Sequence, residues 1–567
     1  MQHGDAVRRA GEPLFLGAAS PGPSGRAYWP PMSQPAPVLE PSLRESLDRV
    51  LALAADLAGA WSARARASTT MARERAIVRL FGVAGVDRTG LPLASAVVER
   101  GIAANRDRLA AGIALPFAVA LGEYELPPQA LAMDVASGAI DLALEAELLR
   151  LPERRATAEV EARRLVRAAL DRIDDNRTAR RELLDVLGEQ PRPWVAASLD
   201  VRSLDVAPDS AEAFIKAGAD VVRVHTPAVR ELVLQLADRG VEQHTRHLRD
   251  PEEPNEDPAT IPAGAQRALS VLRARLDEAG AEAGRYAWLA TSASALAAPE
   301  QAIVAALERV DAVEADPLAE IVAGGVDPDR ALADHSFLRR LLARAGTTVI
   351  VGAGPLVVAP DLARGVPSDP PTRAGRAFAM QALAIALARA DGLRPEQLLA
   401  GAFVPWLAEE RDATTQALAA VLVRRAAWPE VGLFFDEPDL AGRARARWPF
   451  LLAVGLTVAG EGSVVGRRAT VAELPALAEQ TLAAASVAAE LAAARGASRA
   501  AKAGPVQAQS GGLLAAAEIT LRRLADDGWR TVLGEPLGGP GRDRLGADAV
   551  VERSEWFDPF ELELAAD

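Results

Sequence analysis

Cysteine is absent from the 567-residue chain, which excludes disulfide bonds, thiolate zinc sites and a cysteine nucleophile. Lysine is almost absent as well, since Lys216 and Lys502 are its only occurrences and arginine supplies the remaining positive charge. Aromatic residues make up only 4% of the chain, so a core must be built mainly from alanine, leucine and valine. The overall apolar content of 50% is nevertheless ample for a large buried core.

Positive charge is also in deficit, because the formal net charge is −14 and no basic run is interleaved with aromatic residues. Nucleic-acid binding needs a clustered positive surface, so this composition argues against it. No apolar stretch approaches the roughly 20 residues of a membrane-spanning helix, and the N-terminus lacks the pattern of a secretory signal. These absences predict a cytoplasmic protein that binds neither nucleic acid nor membranes.

The N-terminal part of the chain divides into two regions by composition. Residues 1–38 are rich in proline, glycine and serine, and we expect them to form a disordered leader. The true start of the protein is left open between Met1 and Met32. Residues 39–190 carry amphipathic helical patterns, the first of which we expect Ser42 to cap, and they predict a helical N-terminal domain.

Residues 191–465 show short apolar runs alternating with helical stretches. The predicted strands are Trp194–Leu199, Asp220–His225, Tyr286–Ala290, Asp311–Glu314, Thr348–Val351 and Val431–Phe435. This alternation is typical of βαβ units, and its length favours a (β/α)8 TIM barrel over a doubly wound sheet. Residues 466–567 predict a helical C-terminal accessory region, in which we expect 496–512 to be a mobile loop or linker.

Hydroxyl and imidazole groups follow two of the predicted strands, where the active sites of barrels lie. His225 ends a strand and could act as an acid or base, although a hydrogen-bonded structural histidine is the alternative. Thr291, Ser292 and Ser294 follow another strand. Hydroxyls in such a turn can hold a phosphate at the start of a helix, but ordinary loop composition explains them equally well.

Carboxylates form a second group of candidates. Asp316 and the pair Asp334 and His335 are expected after or near strand ends, with helix capping as the alternative for each. His244 and His247 have a spacing that could hold a metal, but the surrounding polar segment favours a solvated loop, so no metal site is predicted. Apart from these residues, no motif of a known catalytic class stands out.

A set of short segments with recognisable composition runs in order along the chain. Residues 69–83 contain Thr-Thr, Glu-Arg-Ala and Arg-Leu-Phe-Gly, and Gly85-Val86-Asp87 follow them. The further segments are residues 176–177, 217–221, 280–286 and 307–311, Asp334 with Phe337, and residues 555–560. In this order and spacing they resemble the α subunit of the lysine 5,6-aminomutases.

The resemblance implies a barrel subunit that works with a separate β subunit. In that family the two subunits share adenosylcobalamin and pyridoxal phosphate (PLP), and the partner contributes the cobalamin-binding domain and the lysine that holds PLP. The implied reaction is a radical 1,2-amino shift on a small amino acid substrate. The residues implied to bind the cofactors are His225, Thr226, Thr291, Ser292 and Ser294. Those implied to bind the substrate are Asp316, Asp334 and His335.

The segments at the predicted strand ends depart from the family pattern. His225 and Thr226 stand where the family has Arg-Thr, and the acidic run 251–257 stands where the family carries an aromatic residue that stacks on PLP. Two hypotheses follow from this departure. The chain is either an aminomutase α subunit with a divergent active site or a non-catalytic paralogue that serves as a scaffold or regulatory subunit.

Overall fold

The structure is a computed structural model that describes most of the chain beyond residue 38. The described ranges are 39–88, 92–103, 106–188, 193–200, 207–225, 261–293, 297–322, 326–352, 369–402, 412–436, 463–467, 504–533, 550–554 and 557–566, with isolated positions between 452 and 484. The predicted leader, Thr226, Ser294, His244 and His247 therefore lie outside the described residues.

Eight parallel strands form a closed barrel, and two further strands pair outside it. The strands are β1 (Ser68–Thr70), β2 (Trp194–Asp200), β3 (Val221–His225), β4 (Trp288–Ser292), β5 (Ala312–Glu314), β6 (Thr348–Val351), β7 (Leu398–Gly401), β8 (Gly432–Asp436), β9 (Ser463–Arg467) and β10 (Val550–Glu552). Because β2 pairs with both β3 and β9, the sheet has no edges. The predicted TIM barrel is confirmed, and the open doubly wound sheet is wrong.

Helices surround the barrel and form the regions on either side of it. They are α1 (Pro41–Ala67), α2 (Met71–Leu80), α3 (Leu93–Val98), α4 (Arg106–Ala111), α5 (Ala114–Tyr124), α6 (Pro128–Ser137), α7 (Leu142–Glu145), α8 (Pro152–Leu187), α9 (Ala207–Lys216), α10 (Ile261–Ala283), α11 (Ala298–Leu307), α12 (Pro317–Val322), α13 (Pro328–Ala345), α14 (Pro370–Ala390), α15 (Ala413–Ala427), α16 (Gly504–Leu533) and α17 (Pro559–Ala565). None of the helices in the described ranges is both long enough and apolar enough to cross a membrane.

Three barrel strands differ from the sequence prediction by more than one residue. β4 begins two residues later than expected, because Tyr286 is buried outside the strand with its hydroxyl bonded to Asp311. β7 and β9 were not predicted, since their short runs contain alanine, glycine and serine rather than a clear apolar pattern. β9 also carries the barrel past the predicted boundary at residue 465.

Alternation along the strands separates the inside of the barrel from its outer face. The inward-facing residues form one hydrophobic cluster: Trp194, Ala196, Val221, Trp288, Ala290, Ala312, Ile350, Leu399, Phe434 and Val464. Their neighbours along the strands, such as Val195, Val222 and Leu289, pack outward in the larger cluster that includes the helices. The barrel interior is thus a packed core, and ligand access is confined to its ends.

The N-terminal helices pack directly on the barrel, and the described residues from 39 onward belong to one compact unit. α1 begins at Pro41 with Glu40 at its N-cap and no side-chain cap. The predicted Ser42 cap is therefore wrong, because proline, which lacks an N–H, already occupies the first turn. α2 is capped by Thr70, whose hydroxyl accepts from the N–H of Arg73 at 3.0 Å.

The C-terminal region returns to these N-terminal helices. β10 pairs antiparallel with β1, and Nη2 of Arg73 donates to Oδ2 of Asp558 at 2.6 Å. α16 begins at Gly504, so the expected loop at 496–512 is wrong from residue 504 onward. Close packing on α14 explains this helix, since a Cβ added to Gly375 of α14 would lie only 2.4 Å from the carbonyl oxygen of Leu513.

A buried polar cluster closes the amino end of the barrel. Both carboxylate oxygens of Asp311, which directly precedes β5, are fully engaged. Oδ1 accepts from Arg180 at 2.8 Å and Tyr286 at 2.7 Å. Oδ2 accepts from Arg273 at 2.7 Å and the N–H of Leu289 at 2.8 Å. We call these five residues the Asp311 network.

Candidate functional site at the carboxyl end of the barrel

Four polar side chains lie side by side at the opposite, carboxyl end of the barrel interior. They come from the consecutive strands β2 to β5 and are Ser198, Arg223, Ser292 and Glu314. Ser198 is in register with Arg223, and Ser292 is in register with Glu314. Each lies two residues beyond an inward-facing Ala196, Val221, Ala290 or Ala312, so all four share the inner face. We call them the polar half-ring.

An ion pair crosses this half-ring. Nη2 of Arg223 lies 2.6 Å from Oε2 of Glu314, and the guanidinium lies 4.9 Å from the ring centroid of Phe434. The Arg223 side chain is 6% exposed and that of Glu314 is 26% exposed. Removing two charges from water costs free energy, and the attraction between them offsets only part of that cost. The ion pair is therefore weak evidence for a purely stabilising role.

Ser198 provides the least satisfied group of the half-ring. Its side chain is buried, and its Oγ has no hydrogen-bond partner. A buried hydroxyl without a partner costs about 1–3 kcal/mol. Because buried polar groups are almost always hydrogen-bonded, we expect a ligand or a water molecule to bond to this hydroxyl.

The residues predicted to bind cofactors do not all face the barrel interior. His225 is the last residue of β3, as predicted. Thr291 and Ser292 are consecutive in β4 and therefore point to opposite faces of the sheet. Ser292 lies in the half-ring, whereas Oγ1 of Thr291 lies 3.4 Å from the carbonyl oxygen of Val224, an outward-facing residue. The cofactor-binding role of these residues stays a prediction.

Asp316 lies after β5 at the carboxyl end of the barrel, as predicted, but it is engaged by the backbone. Its Oδ1 accepts from the N–H of Leu318 at 2.9 Å, in the first turn of α12. Its Oδ2 accepts from the N–H of Gly352, just after β6, also at 2.9 Å. Burial raises the pKa of this carboxyl, although the backbone donors oppose the shift. The capping alternative accounts for this geometry.

Asp334 and His335 do not follow a strand. Both are fully buried within α13, so the expectation that they lie near a strand end is wrong. Asp334 accepts from the hydroxyl of Thr70, and its Oδ2 lies 3.4 Å from Nε of Arg330. His335 Nε2 lies 3.1 Å from Oε2 of Glu320 in α12. The pair therefore lies between the helices, and binding of substrate by these residues stays a prediction.

Three members of the half-ring were missed from the sequence: Ser198, Arg223 and Glu314. Arg223 carried a usable signal, because it lies two residues before His225 on the same face of a predicted strand. Its partner Glu314 is 91 residues away and becomes visible only through the strand register. Within the described residues, no group of three or more histidine, aspartate or glutamate side chains is arranged to hold a metal ion.

Comparison with known proteins assigns the family. Residues 43–439 match the model of the D-lysine 5,6-aminomutase TIM-barrel domain of the α subunit. The lysine 5,6-aminomutase α subunit of Acetoanaerobium sticklandii is 26% identical over 285 residues, which cover 50% of this chain and 51% of that protein. Its counterpart in Fusobacterium nucleatum is 27% identical over 298 residues, with 50% and 51% coverage. The chain thus spans about half the length of these relatives. It belongs to the family of lysine 5,6-aminomutase α-subunit barrel domains.

Proposed function

We propose that this chain is the barrel subunit of an adenosylcobalamin- and PLP-dependent aminomutase with a divergent active site. The reaction would be a radical 1,2-amino shift on a small amino acid, carried out with a cobalamin-binding β subunit in the cytoplasm. The observation that carries the proposal is the polar half-ring at the carboxyl end of a barrel from this family. Active sites of TIM barrels lie at that end.

The lysine needed to hold PLP is missing from the described part of the site. Lys216 lies on α9 with its side chain 55% exposed, and it pairs with Glu212 and Glu282. Lys502 lies outside the described residues. Under this proposal the partner subunit supplies the lysine that holds PLP.

The residue types at the mouth fit a phosphate-bearing cofactor in part. Ser292 offers a hydroxyl, whereas Thr291 is directed away from the interior, and a cofactor role for His225, Thr226 and Ser294 stays a prediction. Arg223 is already neutralised by Glu314, so phosphate binding would rest on neutral donors. When bound, adenosylcobalamin supplies the organic radical and PLP carries the migrating amine.

The chain's own contribution would be to orient the substrate and to exclude water. Below the half-ring, Trp194, Trp288 and Phe434 fill the barrel interior and close it against solvent. A closed floor keeps a reactive intermediate from side reactions with water. The ion pair between Arg223 and Glu314 fixes two charged groups at the rim of this apolar floor, where they can orient a polar substrate.

One observation favours the alternative of a non-catalytic scaffold or regulatory paralogue. The three residues expected to bind substrate, Asp316, Asp334 and His335, are engaged in internal contacts at helix starts and between helices. A chain that kept only the fold would retain such contacts. Under this alternative the partner subunit would still bind, but cofactors and turnover would be lost.

Co-expression with the β subunit of a lysine 5,6-aminomutase tests the proposal. We expect a complex that copurifies, shows the visible absorbance of cobalamin and of lysine-bound PLP, and isomerises an amino acid such as lysine. Ser292→Ala should lower retention of PLP about tenfold if its hydroxyl binds the charged phosphate, whereas the exposed Ser137→Ala on α6 should not. A stable complex that retains neither cofactor would overturn the enzymatic proposal and support the scaffold.

A further inference from the structure

We propose that the polar half-ring binds the primary ammonium group of a substrate, with Glu314 as its counter-ion and Ser198 as a neutral acceptor. The inference rests on the proposed function in one respect only, the choice of an amine as substrate. It adds the residues that recognise the amine and the part of the barrel in which they do so.

The first support is the shared position of the four side chains. The register places Ser198 beside Arg223 and Ser292 beside Glu314, on neighbouring strands at the same end of the interior. The inward-facing residues just below them are Ala196, Val221, Ala290 and Ala312, which are short. Elsewhere at this end of the interior, β7 and β9 present Gly401 and Gly466, which have no side chain, and β8 presents Phe434, which lies against Arg223. These positions leave room beside the polar groups.

The second support is the unsatisfied hydroxyl of Ser198. Its side chain is 6% exposed, and its Oγ has no partner even though it lies next to an ion pair. Serine can accept two hydrogen bonds and donate one. An ammonium group that entered the half-ring would satisfy this oxygen, and the benefit would appear only in the bound state.

The sign of the ligand's charge follows from the ion pair. Arg223 is the more buried partner and lies over Phe434, whereas the Glu314 side chain is four times more exposed, at 26% against 6%. The carboxylate is therefore the charge that an entering ligand meets first. A carboxylate accepts up to about four hydrogen bonds, and the exposed part of this one is within reach of a ligand at the end of the barrel.

The number of acceptors matches an ammonium group. A primary ammonium has three donors and no acceptor. The two carboxylate oxygens of Glu314 and the hydroxyl of Ser198 supply three acceptor atoms on the inner face. A ligand carboxylate at the same place would meet the charge of Glu314, and like charges in a poorly solvated site repel strongly.

Isothermal titration calorimetry of the full-length chain tests the inference with two probes of similar length. One probe is 1,5-diaminopentane, which carries ammonium groups and no carboxylate, and the other is hexanoate, which carries the reverse. We expect the diamine to bind at least about tenfold more tightly, because a charge-assisted hydrogen bond that is lost costs roughly a factor of ten. Hexanoate that binds as tightly as the diamine, or a diamine that does not bind, would overturn the inference.

Two variants locate the binding. Glu314→Gln removes the counter-ion and should weaken diamine binding about tenfold or more. Since this change also disturbs Arg223, Ser198→Ala provides a milder second test, with an expected loss of about threefold to tenfold. Ser510→Ala is the matched control, because Ser510 is a buried serine of α16 whose hydroxyl donates to the carbonyl oxygen of Val506 at 2.9 Å. Equal diamine affinity in the Ser198 variant and the wild type would exclude the half-ring as the binding site.

The outcome is separable from that of the proposed function. Diamine binding is measured on the chain without cofactors, whereas the aminomutase proposal is tested by cofactor retention and turnover in the complex. A chain that binds the diamine through the half-ring but whose complex retains no cofactor would keep this inference and lose the aminomutase. If the complex isomerises its substrate while Ser198→Ala and Glu314→Gln bind the diamine like wild type, the aminomutase proposal stands and this inference is lost.

Discussion

The two ends of the barrel use buried charge in opposite ways. At the amino end, each oxygen of Asp311 accepts two bonds, and its side chain is 0% exposed. At the carboxyl end, the Arg223–Glu314 pair is partly open on the glutamate side, and the adjacent Ser198 hydroxyl has no partner. A satisfied cluster contributes to stability, whereas an incomplete one leaves capacity for a ligand. Stability and binding thus belong to different ends of the same strands.

The largest expected effect lies at the amino end. Asp311→Ala should lower the free energy of unfolding by about 3–5 kcal/mol, because it leaves Arg180 and Arg273 buried without their carboxylate. Urea denaturation followed by circular dichroism measures this change. The control is Asp48→Ala on α1, which breaks an exposed pair with Arg44 and should cost less than about 1 kcal/mol. Similar losses in both variants would remove the distinction between the two ends.

An intermediate effect is expected at Asp334 of α13, which contacts Thr70 at the start of α2. Asp334→Asn should cost about 1–3 kcal/mol at neutral pH, because it weakens the contacts with Arg330 and Thr70. If these contacts are purely structural, the variant should bind 1,5-diaminopentane like the wild type. If a folded Asp334→Asn chain no longer binds the diamine, Asp334 takes part in ligand binding after all.

The pH dependence of the same variant provides a further test. Burial raises the pKa of Asp334, against the opposing effects of Arg330 and Thr70. The folded chain therefore binds this proton at a higher pH than the unfolded chain, in which aspartate titrates at about 3.9. Between these two pKa values protonation favours the folded state, so the stability of wild type should rise relative to that of Asp334→Asn as the pH falls. Denaturation midpoints that diverge in the other direction would contradict the raised pKa.

The smallest effect on stability is expected at Ser198. Ser198→Ala removes a hydroxyl without a partner, so the free energy of unfolding should stay within about 0.5 kcal/mol of wild type or rise. Ser510→Ala removes a bonded hydroxyl and should cost about 0.5–1.5 kcal/mol. A loss at Ser198 that exceeds the loss at Ser510 would mean that its hydroxyl is satisfied within the fold.

The sequence predicted the barrel because most of its strands combine β-branched residues with clear ends. Thr348–Val351 was predicted at its observed bounds, and β3 differs from its predicted start by one residue. Leu398–Gly401 and Ser463–Arg467 were not predicted, since partners on both sides of the sheet, rather than local propensity, hold these runs in strands. Gly504 to Gly512 looks like a linker locally, yet packing against α14 makes it helical.

The candidate site was less accessible to sequence reasoning than the fold. The residues predicted at strand ends include Ser292 of the half-ring. The pairing of Arg223 with Glu314 depends on the register across β3, β4 and β5, which no local pattern contains. Asp334 and His335 looked like site residues because their helix was not recognised as the buried α13.

The most direct test of this division between the two ends is the ligand-induced shift of the unfolding midpoint in wild type and Ser198→Ala. A ligand that binds only the folded chain stabilises it by RT ln(1 + [L]/Kd), so at one ligand concentration the tighter binder gains more. We predict that Ser198→Ala without ligand unfolds at the same urea concentration as wild type or at a higher one, and that 1,5-diaminopentane at a fixed concentration above its Kd stabilises wild type more than the variant. Equal stabilisation of both proteins would contradict a ligand site at the carboxyl end of the barrel.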